Sequence, residues 1–258
     1  MTGYSIRCIA GLSAAALLGA STAAAQVVYL NRPERAGLPP RGLAVGLAAT
    51  GNVNFSVQAC PAPGARFQKN SYAFPTGELL ASYTGSRGWR LESGLGLGSV
   101  AAVTLDAREP FGRSATVSFG TAQVPLRLYR YLTFNPRSRL SLSPHAGLQA
   151  VFLSMGEKVS ARHPIYAGRP DYGSQSSYFR TVRERTLTYQ VGAGLHYVAA
   201  RLELTAFVRY TNSFGNPVVA EGRWDYDVRG QQQPALYAAS RLENLALGIA
   251  VRRTIVAR

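Results

Sequence analysis

Six charged residues are spaced so that an extended chain would carry them all to one side of a sheet: Arg90, Glu92, Arg127, Glu203, Arg209 and Arg252. Most alternate with bulky apolar neighbours, as Arg90 and Glu92 do with Trp89 and Leu91, while Arg252 has Val251 on one side and Arg253 on the other. Opposite charges enclosed together can neutralise one another, whereas a lone enclosed charge is strongly unfavourable. The chemistry they offer is therefore a salt-bridged polar network, with a proton or small-ion path as the alternative.

Serine, histidine and acid form a second set. His145 lies near Ser141 and Ser143, and His163 follows Ser160. With a carboxylate, such residues can perform acyl chemistry. No nucleophile elbow occurs, however, and Ser143 and His145 at i+2 share a strand face as any two polar residues would. We expect no catalytic residue. His145, His163 and His196 are far apart and not in ligand-like spacing with cysteine, so no metal and no cofactor is expected.

Aromatics and arginines make the third set. Tyr166, Arg169, Tyr172, Tyr178 and Phe179 fall in one long connection, and Trp224, Tyr226 and Tyr237 in another. Arg, Tyr and Trp dominate binding hot spots, so Tyr166, Arg169, Tyr172, Tyr178, Trp224 and Tyr226 are candidate contacts for an extracellular protein or glycan. Arg162, Arg169, Arg180, Arg183 and Arg185 could meet anionic headgroups or lipopolysaccharide phosphates, against the plainer reading of a solvated loop. Trp89, Tyr129, Tyr131 and Tyr210, near strand ends, read as an interfacial girdle.

These residues are positioned by strands whose pattern is inverted relative to a soluble protein. Leu187, Tyr189, Val191, Ala193, Leu195 and Tyr197 make one face, while Thr188, Gln190, Gly192, Gly194 and His196 make the other. A bulky face against lipid, with glycine and hydrogen-bonding groups towards a narrow interior, is the pattern of a membrane barrel. It recurs in eight segments: 42–53, 76–85, 89–100, 116–132, 140–152, 182–197, 202–211 and 244–252. In the fourth, the outward parity slips between Phe119 and Val124, which fits either a bulge near Gly120 or an end to the lipid-facing portion.

Connections alternate long and short, with Ser86-Arg87-Gly88, Asn135 to Arg139, and Ala199-Ala200 as the short ones. The long ones cover 54–75, 101–115, 157–181 and 212–240. Outer-membrane barrels segregate short periplasmic turns from long extracellular loops in this way. Such a strip of strands must close, because lipid offers no partner to an open edge. The expected fold is thus all-β: an eight-stranded antiparallel up-and-down transmembrane barrel.

Residues 1–25 resemble a secretory signal peptide: Arg7, an apolar run from Ile9 to Ala20, then small residues to Ala25. Residues 26–41, with Pro33, Pro39 and Pro40, make an irregular periplasmic lead-in, and 42–258 the barrel. Removing Arg7 from the 28 basic residues leaves 27 against 13 acidic ones, a net charge of +14. The arginines are dispersed through alternating strands instead of gathered in a binding motif, so no nucleic-acid partner is expected. Cys60 alone would remain after cleavage, and beside Pro61 and Pro63 it reads as a loop residue.

Gly88-Trp89-Arg90-Leu91-Glu92-Ser93-Gly94-Leu95-Gly96 resembles the third strand of the bacterial outer-membrane β-barrel family typical of Bacteroidetes. Val124-Pro125-Leu126-Arg127-Leu128-Tyr129-Arg130-Tyr131-Leu132 is similar to its fourth strand, and Pro144 to Leu148 and Leu245 to Ala250 extend the likeness. That family is related in architecture to small OmpA- and OmpX-like barrels. The resemblance implies residence in the outer membrane, with lipid, lipopolysaccharide and the assembly machinery as partners. The chain ends Ile255-Val256-Ala257-Arg258, without the terminal aromatic of the proteobacterial pattern. An eight-stranded interior is just wide enough for side chains. The expected role is structural or surface interaction without catalysis, the alternatives being a small-solute, proton or ion channel and a lipid A-modifying enzyme.

Overall fold

In the computed structural model, the described residues are 37–59, 73–107, 113–133, 138–153, 158–159, 163–164, 173–215, 217–228, 231–232 and 236–257. The leader at 1–25, most of the lead-in, Cys60, Ser160, Arg162, Tyr166, Arg169, Tyr172 and the turn residues Asn135 to Arg137 lie outside them.

Among the described residues, eight long strands form one closed antiparallel barrel. They are β1 (Gly42–Ala59), β2 (Ala73–Thr84), β3 (Trp89–Ala107), β4 (Arg113–Arg130), β5 (Leu140–Leu153), β6 (Arg185–Ala199), β7 (Leu202–Ser213) and β8 (Leu236–Ala257). Each pairs with its sequence neighbours, and β1 pairs with β8 from Ala44↔Thr254 to Val53↔Leu245, which closes the ring. No edge is left in the barrel, so every ladder can satisfy its backbone without water.

Side chains sort by the two-residue period. Leu247 is 63% exposed and Leu79 60%, and Leu47, Leu97, Leu187, Leu195, Leu204 and Ile249 also face outward. Between them, Glu92 and His196 are 0% exposed. A continuous leucine exterior of this kind is far beyond the apolar patches a water-soluble monomer tolerates. Aromatics border it at both ends: Tyr83, Trp89 and Tyr197 near the short turns, Tyr189, Tyr210 and Phe214 near the long connections. Tyr189 and Tyr197 are eight residues apart on β6. At about 3.3 Å per residue and a tilt of about 40° that spans about 20 Å, close to the apolar band of a membrane barrel.

Two proline and bulge details differ from the expected pattern. Phe119 is fully buried and in phase with Thr121, Gln123 and Arg127, so β4 has no parity slip. The irregularity lies across from it, where β3 passes Gly120 between Ser99 and Ala101 with one residue extra. Pro125 lacks an N–H towards β3, and its carbonyl accepts a hydrogen bond from the outward Ser93 hydroxyl at 2.8 Å. That side-chain bond satisfies a group lipid could not.

The long connections are also more regular than expected. Besides the overrun of β1, β3, β4 and β8, strands Gly173–Thr181 and Val218–Val228 pair with each other, and the second of them with β8. The barrel wall therefore continues beyond the apolar belt as a polar sheet. The β2–β3 turn, Ser86–Gly88, puts Arg87 at φ 61° and Gly88 at φ 73°, a conformation glycine adopts freely and arginine does not. At this end Gly37 and Leu38 lie against the β4–β5 and β2–β3 connections. A Cβ on Gly37 would lie 2.7 Å from the Ser138 carbonyl, and one on Gly88 would lie 3.5 Å from Leu38 Cδ2.

Candidate functional site

The chemistry-bearing residues converge inside the barrel. Even positions of β2, β3, β6 and β8, and odd positions of β4, β5 and β7, point inward. That parity brings Arg90, Glu92, Arg127, Glu203, Arg209 and Arg252 together, all buried, with Glu78 as a seventh member.

Glu203 and Arg90 form a bidentate pair at 2.6 and 2.8 Å. Arg127 grips Glu78 in the same manner at 2.7 and 2.9 Å, while its Nε donates to Gln190 Oε1 at 2.8 Å. Arg209 donates to the same Glu78 at 3.0 Å, and Arg252 Nε to Glu92 at 2.7 Å. Tyr129 and Tyr131 donate their hydroxyls to Glu92 and Glu203 at 2.8 and 2.9 Å. Four guanidinium groups thus meet three carboxylates, and each carboxylate is met by more than one donor. Charge-assisted and forked bonds of this type are among the strongest side-chain contacts, and they offset the cost of enclosing ions.

Tyr129 and Tyr131 are corrections to the girdle assignment. Tyr129 continues the Arg127 row on β4 and Tyr131, just past the strand, keeps its phase, so both turn inward to 3% exposure, and only Trp89 and Tyr210 of that group face outward. Glu78 is not singled out by the sequence, because Leu79 and Leu80 beside it leave the face of β2 undecided there.

Inward glycines make space for this packing. A Cβ on Gly194 would meet His196 Nε2 at 2.9 Å, and one on Gly192 would meet His145 at 2.7 Å. The histidine rings occupy the volume that side chains on β6 would have taken. His145 stacks on Tyr129 and His196 on Tyr131, with centroids 4.7 and 4.6 Å apart.

Ser143 does not engage His145. Its hydroxyl meets His196 Nε2 at 2.5 Å, and His196 Nδ1 meets Glu203 Oε1 at 2.8 Å. The order serine, histidine, carboxylate is that of an acyl-transfer triad. Yet Ser143 and His196 are both fully enclosed, and Glu203 already accepts from Arg90 and Tyr131. These two bonds tie the His196 ring to Ser143 on β5 and to Glu203 on β7. His163 lies on a two-residue strand against Gln175 and outside this cluster. Among the described residues no group of three metal-ligating side chains occurs.

Above the ionic layer, amides and hydroxyls take over: Gln190 bonds Gln149, Gln149 bonds Gln123, and Asn52 donates to Thr76 Oγ1 at 2.8 Å. They surround a void of about 10 Å³, room for one water at most. Nearest the long connections, Phe119, Val151, Leu153, Phe179, Val219 and Leu242 are buried. Among the described residues the interior is thus layered, ionic, amide and apolar tiers following one another.

Outside the belt, the polar sheet extension carries a second constellation. Tyr178, Arg180, Glu221, Arg223, Asp225 and Tyr237 line a cleft of about 480 Å³. Arg180 pairs with Glu221 at 2.5 Å and Arg223 with Asp225 at 2.7 Å. Hydrogen bonds to those carboxylates raise both arginine pKa values above their ordinary one, so both remain cations. Arg223 also stands 5.8 Å over the Tyr237 ring. Of the residues expected in loops, Tyr178 lies in this cleft, and Trp224 and Tyr226 are positions of the Val218–Val228 strand.

No protein-family model and no curated protein sequence matches this chain. Among solved structures it is similar to Neisserial surface protein A, at 11% identity and TM-score 0.42 over 83% of this chain and 97% of that one. The outer membrane protein OprG from Pseudomonas aeruginosa is similar at 9% identity and TM-score 0.43, over 84% and 99%. A major outer membrane protein from Thermus thermophilus is similar at 9% identity and TM-score 0.41, over 81% and 98%. The eight-stranded barrel assignment rests on the strand pairing described above, with these as likenesses of fold.

Proposed function

We propose that this chain is an integral outer-membrane β-barrel, exported on a leader spanning residues 1–25, with a structural and surface-interaction role and no catalytic turnover. One observation carries the reading: a leucine-covered exterior encloses an interior of cross-barrel ion pairs. Water would invert that arrangement, because it solvates ions and expels leucines. Lipid favours it, since an arginine on the lipid face costs about 2–4 kcal/mol at the midplane.

The layered interior supports a plug over a channel. The Arg90–Glu203 fork, the Glu78–Arg127 fork and the apolar layer containing Phe119 and Leu242 would each have to open for a solute to pass. Cell fractionation with planar-bilayer recording tests the reading. Recovery in the outer-membrane pellet with no single-channel steps is the expected result; a periplasmic supernatant location or steady conductance contradicts it.

A second reading, lipid modification, draws on the Ser143–His196–Glu203 order. Complete burial of Ser143 and His196 weighs against it. Unchanged lipid A mass on overexpression is the result expected of a non-catalytic barrel.

A further inference from the structure

The outer wall above the apolar belt carries three kinds of surface in a fixed order. Alternation along β8 places Tyr237, Ala239, Arg241 and Glu243 on the same face as Leu245 and Leu247. Val208 and Leu204 on β7 continue that apolar surface sideways. Arg241 follows two residues outward of Glu243 on the β8 face, and Arg183 and Arg185, both exposed with Glu184 between them, lead into and open β6. Arg183 and Arg241 flank the same segment: the Arg183 amide donates to Val219 O at 3.2 Å, and Arg241 pairs with Val218. Arg241 Nε is enclosed without a hydrogen-bond partner among the described residues.

Higher again is the cleft between Tyr178 and Tyr237. Tyr237 lies six residues beyond Glu243, about 15 Å further out at about 3.3 Å per residue and a tilt of about 40°. Its lining combines both donor and acceptor ions, Arg180 and Arg223 with Glu221 and Asp225, beside aromatic rings. Sugar hydroxyls both donate and accept, and the C–H faces of sugar rings cover aromatic surfaces, so such a lining suits a saccharide. A bare phosphate would find its arginines already neutralised there.

We propose that this wall is a docking strip for one lipopolysaccharide molecule: acyl chains on Val208, Leu245 and Leu247, phosphates at Arg183, Arg185 and Arg241, and a core sugar in the Tyr178–Tyr237 cleft. Apolar, cationic and saccharide-binding surfaces follow one another outward as chain, phosphate and sugar do in that amphiphile. A phospholipid would leave the cleft empty, and a free glycan would leave the arginines unused. The inference rests on the outer-membrane reading above and adds a ligand and a site to it.

The test uses the full mature chain refolded into phosphatidylcholine nanodiscs, with the barrel verified by heat-modifiable migration. Three probes are titrated: lipopolysaccharide with its core, lipid A without it, and the core oligosaccharide alone. The cored form should bind at least tenfold more tightly than either part. Tyr237→Ala combined with Arg223→Gln should remove the advantage over lipid A while lipid A affinity stays within twofold. Replacing Arg183, Arg185 and Arg241 together by Gln should weaken lipopolysaccharide and lipid A alike. If that triple variant does not fold, Tyr237→Ala on its exposed face still decides the cleft.

Equal binding of cored lipopolysaccharide and lipid A by the native chain overturns the proposal. So does phosphatidylglycerol binding as tightly as lipopolysaccharide, or free oligosaccharide binding as tightly as the whole molecule. A chain that fails to migrate as a barrel sinks the underlying reading instead, and the two failures are separable on one preparation.

Discussion

Glu203 on β7 and Arg90 on β3, 113 residues apart in the chain, join opposite sides of the barrel through two parallel hydrogen bonds of 2.6 and 2.8 Å. Strands three and seven of an eight-stranded ring face each other across its full width. A pair that bridges the diameter ties the cross-section together in a way neighbouring-strand ladders cannot.

Glu203→Leu leaves Arg90 enclosed without its carboxylate and removes the acceptor of Tyr131 and His196. Breaking one side of a buried pair costs about 3–5 kcal/mol. The temperature at which the barrel loses its compact gel migration should fall markedly, with location in the membrane unchanged. Equal heat resistance of the variant would remove the structural role assigned to the pair.

Glu78 should be coupled to Arg127 more strongly than to Arg209, since it receives a fork from the first and one bond of 3.0 Å from the second. Double-mutant cycles with Glu78→Gln should return interaction energies of about 0.5–3 kcal/mol, the larger with Arg127→Met. The reverse ranking by urea unfolding in detergent would mean that the fork does not dominate.

Much of the architecture is legible from alternation alone. Leu187 to Tyr197 against Thr188 to His196 indicates which side meets lipid, and the Ser86 and Ala199 connections indicate strand order. Glu78 escapes because leucine occupies both faces beside it. Tyr129 and Tyr131 mislead because tyrosine suits both an interface and an interior, and only the shared phase with Arg127 decides between them. Strands Gly173–Thr181 and Val218–Val228 carry polar side chains on their outer face, so no apolar alternation announces them. Pairing of Ser143 with His196 instead of His145 depends on strand register, which adjacency in sequence does not reveal.

Gly194→Ala should destabilise the barrel by about 1–3 kcal/mol through overpacking, because its Cβ would meet His196 Nε2 at 2.9 Å and Thr205 Cγ2 at 3.2 Å. Gly77→Ala is the control, with nothing within 4 Å of the new atom. Thermal melting should separate the two; equal melting temperatures would show that the histidine does not fill the space over β6.

Ser143→Ala should cost about 1–3 kcal/mol by leaving His196 Nε2 unpaired, and it should change no product. Fluorophosphonate probes should fail to label Ser143 in the folded barrel. Stoichiometric labelling there would reveal an accessible nucleophile and overturn the non-catalytic reading.

The central claim, that the leucine face meets acyl chains, is tested most directly by nitroxide labels placed singly at Leu195→Cys, Leu204→Cys and Leu247→Cys in a Cys60→Ser background. In lipid bilayers all three should collide readily with dissolved oxygen and scarcely with a water-soluble nickel chelate. Labels that collide preferentially with the chelate, or that are shielded from both in a packed core, would contradict a membrane-embedded barrel.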